Sequence, residues 1–388
     1  MTTECGMSAQ IADDTSILNQ CVVLEKDGHV HVEENILNVN EMEMGSVLLS
    51  IMFGEVCGTD VHLRHGRLNT VVYPIIPGHV AVGTVHTVRG DIADVDGMKV
   101  EAGDVVTFLD VIDTCNSCIQ CLVDKQTTRC SKRRVIGITC KADHTSIRGL
   151  LGGWTTYLYL PPNTKIIRLP RTLPPQVFIA GGCGLPTALH AVDRANIHIM
   201  DRVIIQGSGP VGLLAALLAQ ASGALQVVVI GAPAHRLEVF KKFGFEHTIN
   251  ILDISDPVER RKLAMKMMGD KLADVVIEAT GRPEAVSEGM ELCRDGGTYV
   301  VVGQYTDNGS VSINPHFLIN RKHITIKGSW GSDFSHFYRG VQFMDKNSHL
   351  PWDLVVSKCF DLEDAEQAIA CVERLEVFKV LLRPTKNK

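Results

Sequence analysis

The chain has 388 residues, 45% of them apolar and 21% charged, the make-up of a globular protein with about two or three domains. This excludes a disordered chain, a collagen and a disulfide mini-protein, and a formal charge of −6 argues against nucleic-acid binding, which needs a clustered basic face. No apolar run approaches the roughly 18 residues of a membrane span, and the start is acidic and polar rather than basic and then apolar. The expectation is a cytoplasmic protein with no membrane partner.

Up to about residue 170 the chain reads as β-rich. Ser46–Phe53, Val80–Val88, Asp104–Leu109 and Thr155–Leu160 favour β-branched and aromatic residues, with Gly and Pro between them. From about Val177 the texture becomes strand–helix alternation. Ala188–Ala195 reads as a helix, Arg202–Gln206 as a buried strand, Val211–Ser222 as an apolar helix, Val227–Ile230 as a strand and His235–Phe243 as a helix. Strands follow at Val275–Glu278, Tyr299–Val302 and Ile324–Lys327. Fully apolar strands at this pitch predict an α/β fold with a parallel sheet covered on both faces. From about Ser332 the texture is mixed again, ending in a helix, Leu362–Leu375, and a strand, Val377–Leu382.

Gly207-Ser-Gly209-Pro210-Val211-Gly212 follows the strand Arg202–Gln206 and opens the next helix. Glycines so placed allow a tight turn, close approach of a pyrophosphate and close helix–strand packing, with phosphate charge on the free N–H groups of the helix N-terminus. The spacing therefore predicts dinucleotide binding. The second strand should end in an acid that holds the ribose of NAD, but Gly231 stands there, followed by His235 and Arg236. Without that carboxylate, His235 or Arg236 can supply positive charge for a 2′-phosphate, which tilts the choice between NAD and NADP slightly towards NADP. The alternative is that Arg236 is a solvated helix residue and NAD is held by other contacts.

Four of the twelve cysteines form Cys115-x-x-Cys118-x-x-Cys121-x8-Cys130 within a polar loop. Four thiolates at such spacing surround one tetrahedral ion, the pattern of a structural zinc site; an iron–sulfur cluster uses similar spacings. A second constellation is dispersed: Cys57-Gly-Thr59-Asp60-Val-His62, then Pro77-Gly-His79, then Gly182-Cys183-Gly184-Leu-Pro-Thr187. Two thiolates and an imidazole from separate loops suit a catalytic zinc with an open fourth position, and Asp60 is placed to orient a ligand. Each residue alone reads as readily as an ordinary buried side chain.

Together these residues resemble the zinc-containing medium-chain alcohol and polyol dehydrogenases, in order, from about residue 20 to 382. The resemblance implies a GroES-like β-rich catalytic domain (residues 1–183, with a structural zinc lobe at 113–132) interrupted by a Rossmann domain (184–331) and resumed at 332–388. It implies two zinc ions per chain, one catalytic on Cys57, His79 and Cys183, one structural on Cys115, Cys118, Cys121 and Cys130. By matching motif, Thr59 and His62 correspond to a proton relay, Thr187 to a residue beside the nicotinamide, and Lys379 to a basic position near the cofactor. The implied reaction is hydride transfer between an alcohol and NAD or NADP, giving an aldehyde or ketone. A homodimer or homotetramer is implied, with Ile324–Lys327 as the candidate pairing edge.

The sequence departs from the family in three places. Val80 replaces the glutamate after the ligand histidine, Thr156 replaces a second acid in Gly152-Gly-Trp154-Thr-Thr156, and the lobe has one extra residue before Cys130. With both acids missing, the expectation is water or substrate as the fourth zinc ligand and a more electrophilic metal. Residues near Phe53, Thr59, Trp154, Leu185 and Trp330 are expected to line the pocket, without an assignable cluster of Arg or Lys. Two other readings remain: a reductase of a conjugated carbon–carbon double bond, against which the Thr59–His62 pair speaks, and a non-catalytic cofactor-binding redox sensor.

Overall fold

A computed structural model describes residues 15–69 and 71–384. The first part of the chain contains β1 (Ser16–Leu24), β2 (Val30–Asn38), β3 (Val47–Val56), helix α1 (Gly58–Arg64), β4 (Ala81–Val88), β5 (Val105–Phe108) and β6 (Val111–Ile112). After a short helix, α2 (Ile119–Leu122), come β7 (Arg134–Val135), β8 (Tyr157–Leu160), β9 (Ile166–Arg168), α3 (Pro175–Gly181) and α4 (Gly184–Ala195). The alternating region then runs β10 (Arg202–Gln206), α5 (Pro210–Ala221), β11 (Gln226–Gly231), α6 (Ala234–Lys242) and β12 (Thr248–Asn250). It continues through α7 (Pro257–Met267), β13 (Ala273–Glu278), α8 (Pro283–Leu292), β14 (Cys293–Val301) and β15 (Thr325–Gly328). The tail holds α9 (Phe334–Lys346), β16 (Val356–Asp361), α10 (Ala365–Glu373) and β17 (Lys379–Arg383).

The alternating region folds into a six-stranded parallel sheet in the order β12-β11-β10-β13-β14-β15. This is the doubly wound order of a Rossmann domain, with a topological switch point between β10 and β13. Alternate side chains of its strands leave on opposite faces. Val203 and Ile205 of β10 pack in one core with residues of α4 and α5, while Ile204 packs in another with Ala264 of α7 and Met290 of α8. Every residue of α5 from Gly212 to Ala219 is buried, so this helix is apolar on all sides because it has no wet face. Truncating Ile205 to Ala would cost about 2–5 kcal/mol by opening a cavity.

The GroES-like domain is built on a seven-stranded sheet in the order β16-β17-β3-β4-β5-β9, with β8 also paired to β3, beside two small two-stranded sheets, β1-β2 and β6-β7. Strand β17, from the far end of the chain, runs antiparallel to β3, so the Rossmann domain interrupts this one. Strand β3 extends three residues beyond its expected end, through Gly54, Glu55 and Val56, up to Cys57. The β1–β2 hairpin, α7, α8 and α9 were not expected. Helix α7 carries few apolar residues, but Asp256 caps it through the Val258 N–H and Pro257 fits its first turn. Among the described residues no helix is long and apolar enough to cross a membrane.

Candidate active site and metal centres

One cavity of about 830 Å³ opens between the two domains. Pro210, Ala279, Gly303 and Ser329, which follow the C-terminal ends of Rossmann strands, line one side; Cys57, Thr59, His62 and His79 line the other. A crevice beyond the carboxyl ends of parallel strands is where ligands bind in such sheets.

The glycine loop is shaped for this purpose. A Cβ on Gly212 would overlap the Gly207 carbonyl oxygen, whereas a Cβ on Gly209 would meet nothing closer than Arg236 Nη1 at 4.0 Å. The first contact sets how closely α5 packs on β10, and the second position is open for a ligand. At Gly231 a Cβ would lie 2.7 Å from the Ser208 side chain, so packing excludes a side chain there. Arg236 is not the solvated residue of the alternative reading: it is buried, donates from Nη2 to Val377 O at 2.6 Å and lies over the Phe378 ring. Burial pulls its pKa down to about 10. Nε2 of exposed His235 faces the Leu375 carbonyl at 3.1 Å.

Cys57 at the end of β3, His79 just before β4 and Cys183 at the start of α4 bring two sulfurs and a ring nitrogen within 4.8 Å of one another. The two sulfurs are 3.6 Å apart. Sulfurs sharing a tetrahedral zinc at bonds of about 2.3 Å are spaced by roughly 3.8 Å, and a disulfide would require about 2.05 Å. Nδ1 of His79 is buried with no hydrogen-bond partner. The residues fit a thiophilic cation. Burial pulls the His79 pKa down, but its hydrogen bond to Cys183 and the negative charge of Cys183, Asp60 and Asp110 outweigh this and carry it up to about 10. Cys183 is held well below the usual thiol value, first by the hydrogen bond with Cys57 and further by Lys379 and His79.

Helix α1 carries the next three residues. Asp60 is buried and its Oδ2 accepts the Cys57 N–H at 2.8 Å, fixing the ligand loop, while Oδ1 has no partner. Burial raises its pKa to about 6. Thr59 and His62, three residues apart and so on one helical face, both reach the cavity. His62 is held below 6.5 by burial and by the charges of Arg67 and His65. Thr187 lines the cavity from α4 and donates to Cys183 O at 2.9 Å.

Several features correct the expectations. Of the five positions near which the pocket lining was expected, Thr59 and Trp330 line it themselves, and Gly184 and Pro186 do so on either side of Leu185. Trp154 and Leu185 are buried in the cores instead, with Trp154 Nε1 donating to Glu55 O at 2.8 Å. Thr156 turns to the Gln20 backbone. A cationic group does border the cavity: Arg129 and Arg133 lie over Trp330, at 4.7 and 5.3 Å from its ring centre. Tyr305, stacked on Trp330 at 5.8 Å and 6.1 Å from the His62 ring, extends this wall. Two carboxylates stand beside the trio after all, Asp110 and Glu55. Neither these nor Tyr305 and the arginines belong to a spacing motif. Lys379 is wholly buried, with its ammonium on Glu55.

The four lobe sulfurs also lie within 4.8 Å of one another, with Cys115 and Cys130 3.6 Å apart. Hydrogen bonds from Ser117 lead in lowering Cys115 to about 6, and burial leads in raising Cys121 to about 12. The all-thiol set fits a closed tetrahedral zinc.

Family models for an alcohol dehydrogenase GroES-like domain and for a zinc-binding dehydrogenase match residues 43–171 and 210–346. The chain is 29% identical to 5-exo-hydroxycamphor dehydrogenase of Pseudomonas putida, over 92% of this chain and 98% of that protein. An alcohol dehydrogenase from Thermotoga maritima superposes with a TM-score of 0.89 at 32% identity, covering 95% of this chain and all 100% of that one. A protein described as a zinc-binding dehydrogenase from Sinorhizobium meliloti 1021, bound to NADP, superposes with a TM-score of 0.81 at 26% identity, over 95% and 100% of the two chains. Similarity of this extent, along almost the whole of both chains, places the protein in the zinc-containing medium-chain dehydrogenase family, as an oxidoreductase of alcohols or polyols.

Proposed function

We propose that the protein is a zinc-dependent dehydrogenase that interconverts an alcohol with its aldehyde or ketone, using NADP in preference to NAD. The observation that carries this reading is the gathering of Cys57, His79 and Cys183 in the wall of the cavity that the glycine-loop helix also borders. In this reading Cys115, Cys118, Cys121 and Cys130 hold a second, structural zinc. When bound, zinc supplies a Lewis acid that polarises the reacting oxygen, and the nicotinamide takes up or gives the hydride.

The chain's own residues do the rest. Cys57, His79 and Cys183 hold the metal, and Asp60 keeps the Cys57 loop in place through its backbone N–H. Thr59 Oγ1 accepts the hydroxyl proton of the alcohol while its own proton moves on, and His62 receives it. With its pKa below 6.5, His62 is a neutral acceptor at physiological pH. Gly207, Gly209, Pro210, Val211 and Gly212 would present the open helix terminus to the pyrophosphate, and Thr187, which lines the cavity, would face the nicotinamide end of the cofactor. The lean to NADP is supported by the missing acid at Gly231, the nearby Arg236 and the NADP-bound relative. Tyr305 and Trp330 give the substrate end an aromatic wall, edged by Arg129 and Arg133.

Strand β15 ends the Rossmann sheet with an open edge, the edge we propose for pairing into a homodimer or homotetramer. A reducing, cytoplasmic setting suits the thiol ligands. A panel of primary alcohols, secondary alcohols and polyols, neutral and acidic, assayed with NAD and with NADP, tests the reading. NADP-dependent turnover of at least one secondary or primary alcohol is expected; no turnover across the panel by protein loaded with zinc would contradict it.

A further inference from the structure

The sequence places no acid after the ligand histidine, yet the fold brings one to the same place from the neighbouring strand. Glu55 precedes Cys57 by two residues on β3, and its N–H donates to Val80 O at 2.9 Å. It therefore stands across the sheet from the position whose acid is missing. Its carboxylate and the Lys379 ammonium, from β17, form an ion pair at 2.7 Å, both with 0% exposure.

The pair touches three consecutive residues of the Cys183 loop. Lys379 Nζ donates to Gly181 O at 2.8 Å. Gly182 has φ of +42°, and a Cβ on it would overlap Glu55 Oε2 and lie 2.6 Å from Lys379 Nζ. Glu55 Oε2 accepts the Cys183 N–H at 2.9 Å, and Oε1 lies 3.3 Å from Cys183 Sγ. The donor atoms of Cys57, His79 and Cys183 gather without Glu55, so the carboxylate touches a ligand rather than joining the set.

Burying two charges costs more than their attraction returns unless further hydrogen bonds are satisfied. Here those bonds go to one stretch of chain, Ile179 O and Gly181 O at the end of α3 and the Cys183 N–H just beyond it, the stretch that carries a ligand. We infer that the Glu55–Lys379 pair is a positioning device for Cys183, which sets the catalytic metal's affinity and ligand geometry in place of the family's usual acid. The carboxylate fixes the Cys183 backbone, and the ammonium offsets its repulsion of the thiolate. This rests on the trio being the catalytic zinc site, which the Cys57→Ala control below tests separately.

The test is carried out on the zinc-loaded protein and on protein refilled with cobalt. The double variant E55Q/K379M removes both charges at once, and E55D keeps the ion pair but withdraws the carboxylate by one methylene. Zinc per chain is measured against increasing EDTA, and the thiolate–cobalt absorption band reports ligand geometry. Groups that orient metal ligands are worth about 10- to 100-fold in metal affinity. Both variants are therefore expected to retain the lobe zinc and the fold, to lose the other zinc at least about tenfold more readily, and to shift the cobalt band. Retention and a cobalt spectrum identical to wild type in whichever variant folds would overturn the inference. Wild-type protein whose Cys57→Ala form keeps every zinc ion would instead overturn the underlying assignment.

Discussion

Two cysteine-rich centres in one chain were built in opposite ways. The lobe takes all four thiols from a single stretch, Cys115 to Cys130, and two of them, Cys115 and Cys118, remain partly exposed. The other centre draws Cys57, His79 and Cys183 from three elements far apart in the chain, which tertiary folding brings together. A short loop can close a tetrahedron on an ion without a core behind it, so its metal contributes to local stability. The dispersed centre is a product of tertiary structure, and its surroundings, the buried Asp60, Glu55 and Lys379 and the half-buried Asp110, are polar groups that tune its ligands rather than close it.

That contrast can be broken by mutation. The largest effect is expected for His79→Ala, which should lower kcat by about 10³-fold or more, the several kcal/mol that a Lewis acid supplies, with the far-UV circular dichroism unchanged. Cys118→Ser should act on stability first. Losing one of four lobe ligands is expected to cost about 2–3 kcal/mol, lowering the melting temperature by roughly 3–4 °C in calorimetry, while activity at low temperature persists. A full loss of activity with an unchanged melting temperature would invert the two assignments.

His62→Asn is expected to lower alcohol oxidation by about tenfold, a modest share of what acid–base groups contribute. It also sharpens the account through pH. Because burial, Arg67 and His65 hold the ring below 6.5, it loses its capacity to accept a proton only as the pH falls through that lowered value. The wild-type rate should therefore drop on the acid side below pH 6.5, and the variant's profile should lack this limb. The smallest effect belongs to Asp113→Asn at the lobe's edge. Its ion pair with Arg134 is about half exposed on both sides, so thermal denaturation should register less than about 1 kcal/mol.

The contrast also governs how much could be read in the sequence. The Rossmann half was legible because its strands are continuous apolar runs between helices, and the observed elements mostly begin and end within a residue or two of the expected ones. The exceptions are the early part of β14, from Cys293, the start of α4 at Gly184, and three elements with no expected counterpart, β12, α7 and α8. The lobe was legible from spacing alone. The trio needed the family resemblance, since no local pattern links Cys57 to Cys183. Glu55 escaped because β3 was expected to stop at Phe53, and because a glutamate in a strand reads as solvent-facing until Lys379 is known to lie beside it. Tyr305 and Asp110 sit in irregular segments that carry no periodicity. Trp154 was placed in the pocket by its motif, but its indole N–H found the Glu55 carbonyl and the ring went into the core.

The most direct test is a zinc count by elemental mass spectrometry on wild type and Cys57→Ala, with turnover measured on the same samples. Two ions per chain falling to one, with turnover abolished and the lobe metal intact, is the predicted result. A Cys57→Ala protein that keeps both its metal content and its turnover would contradict the account.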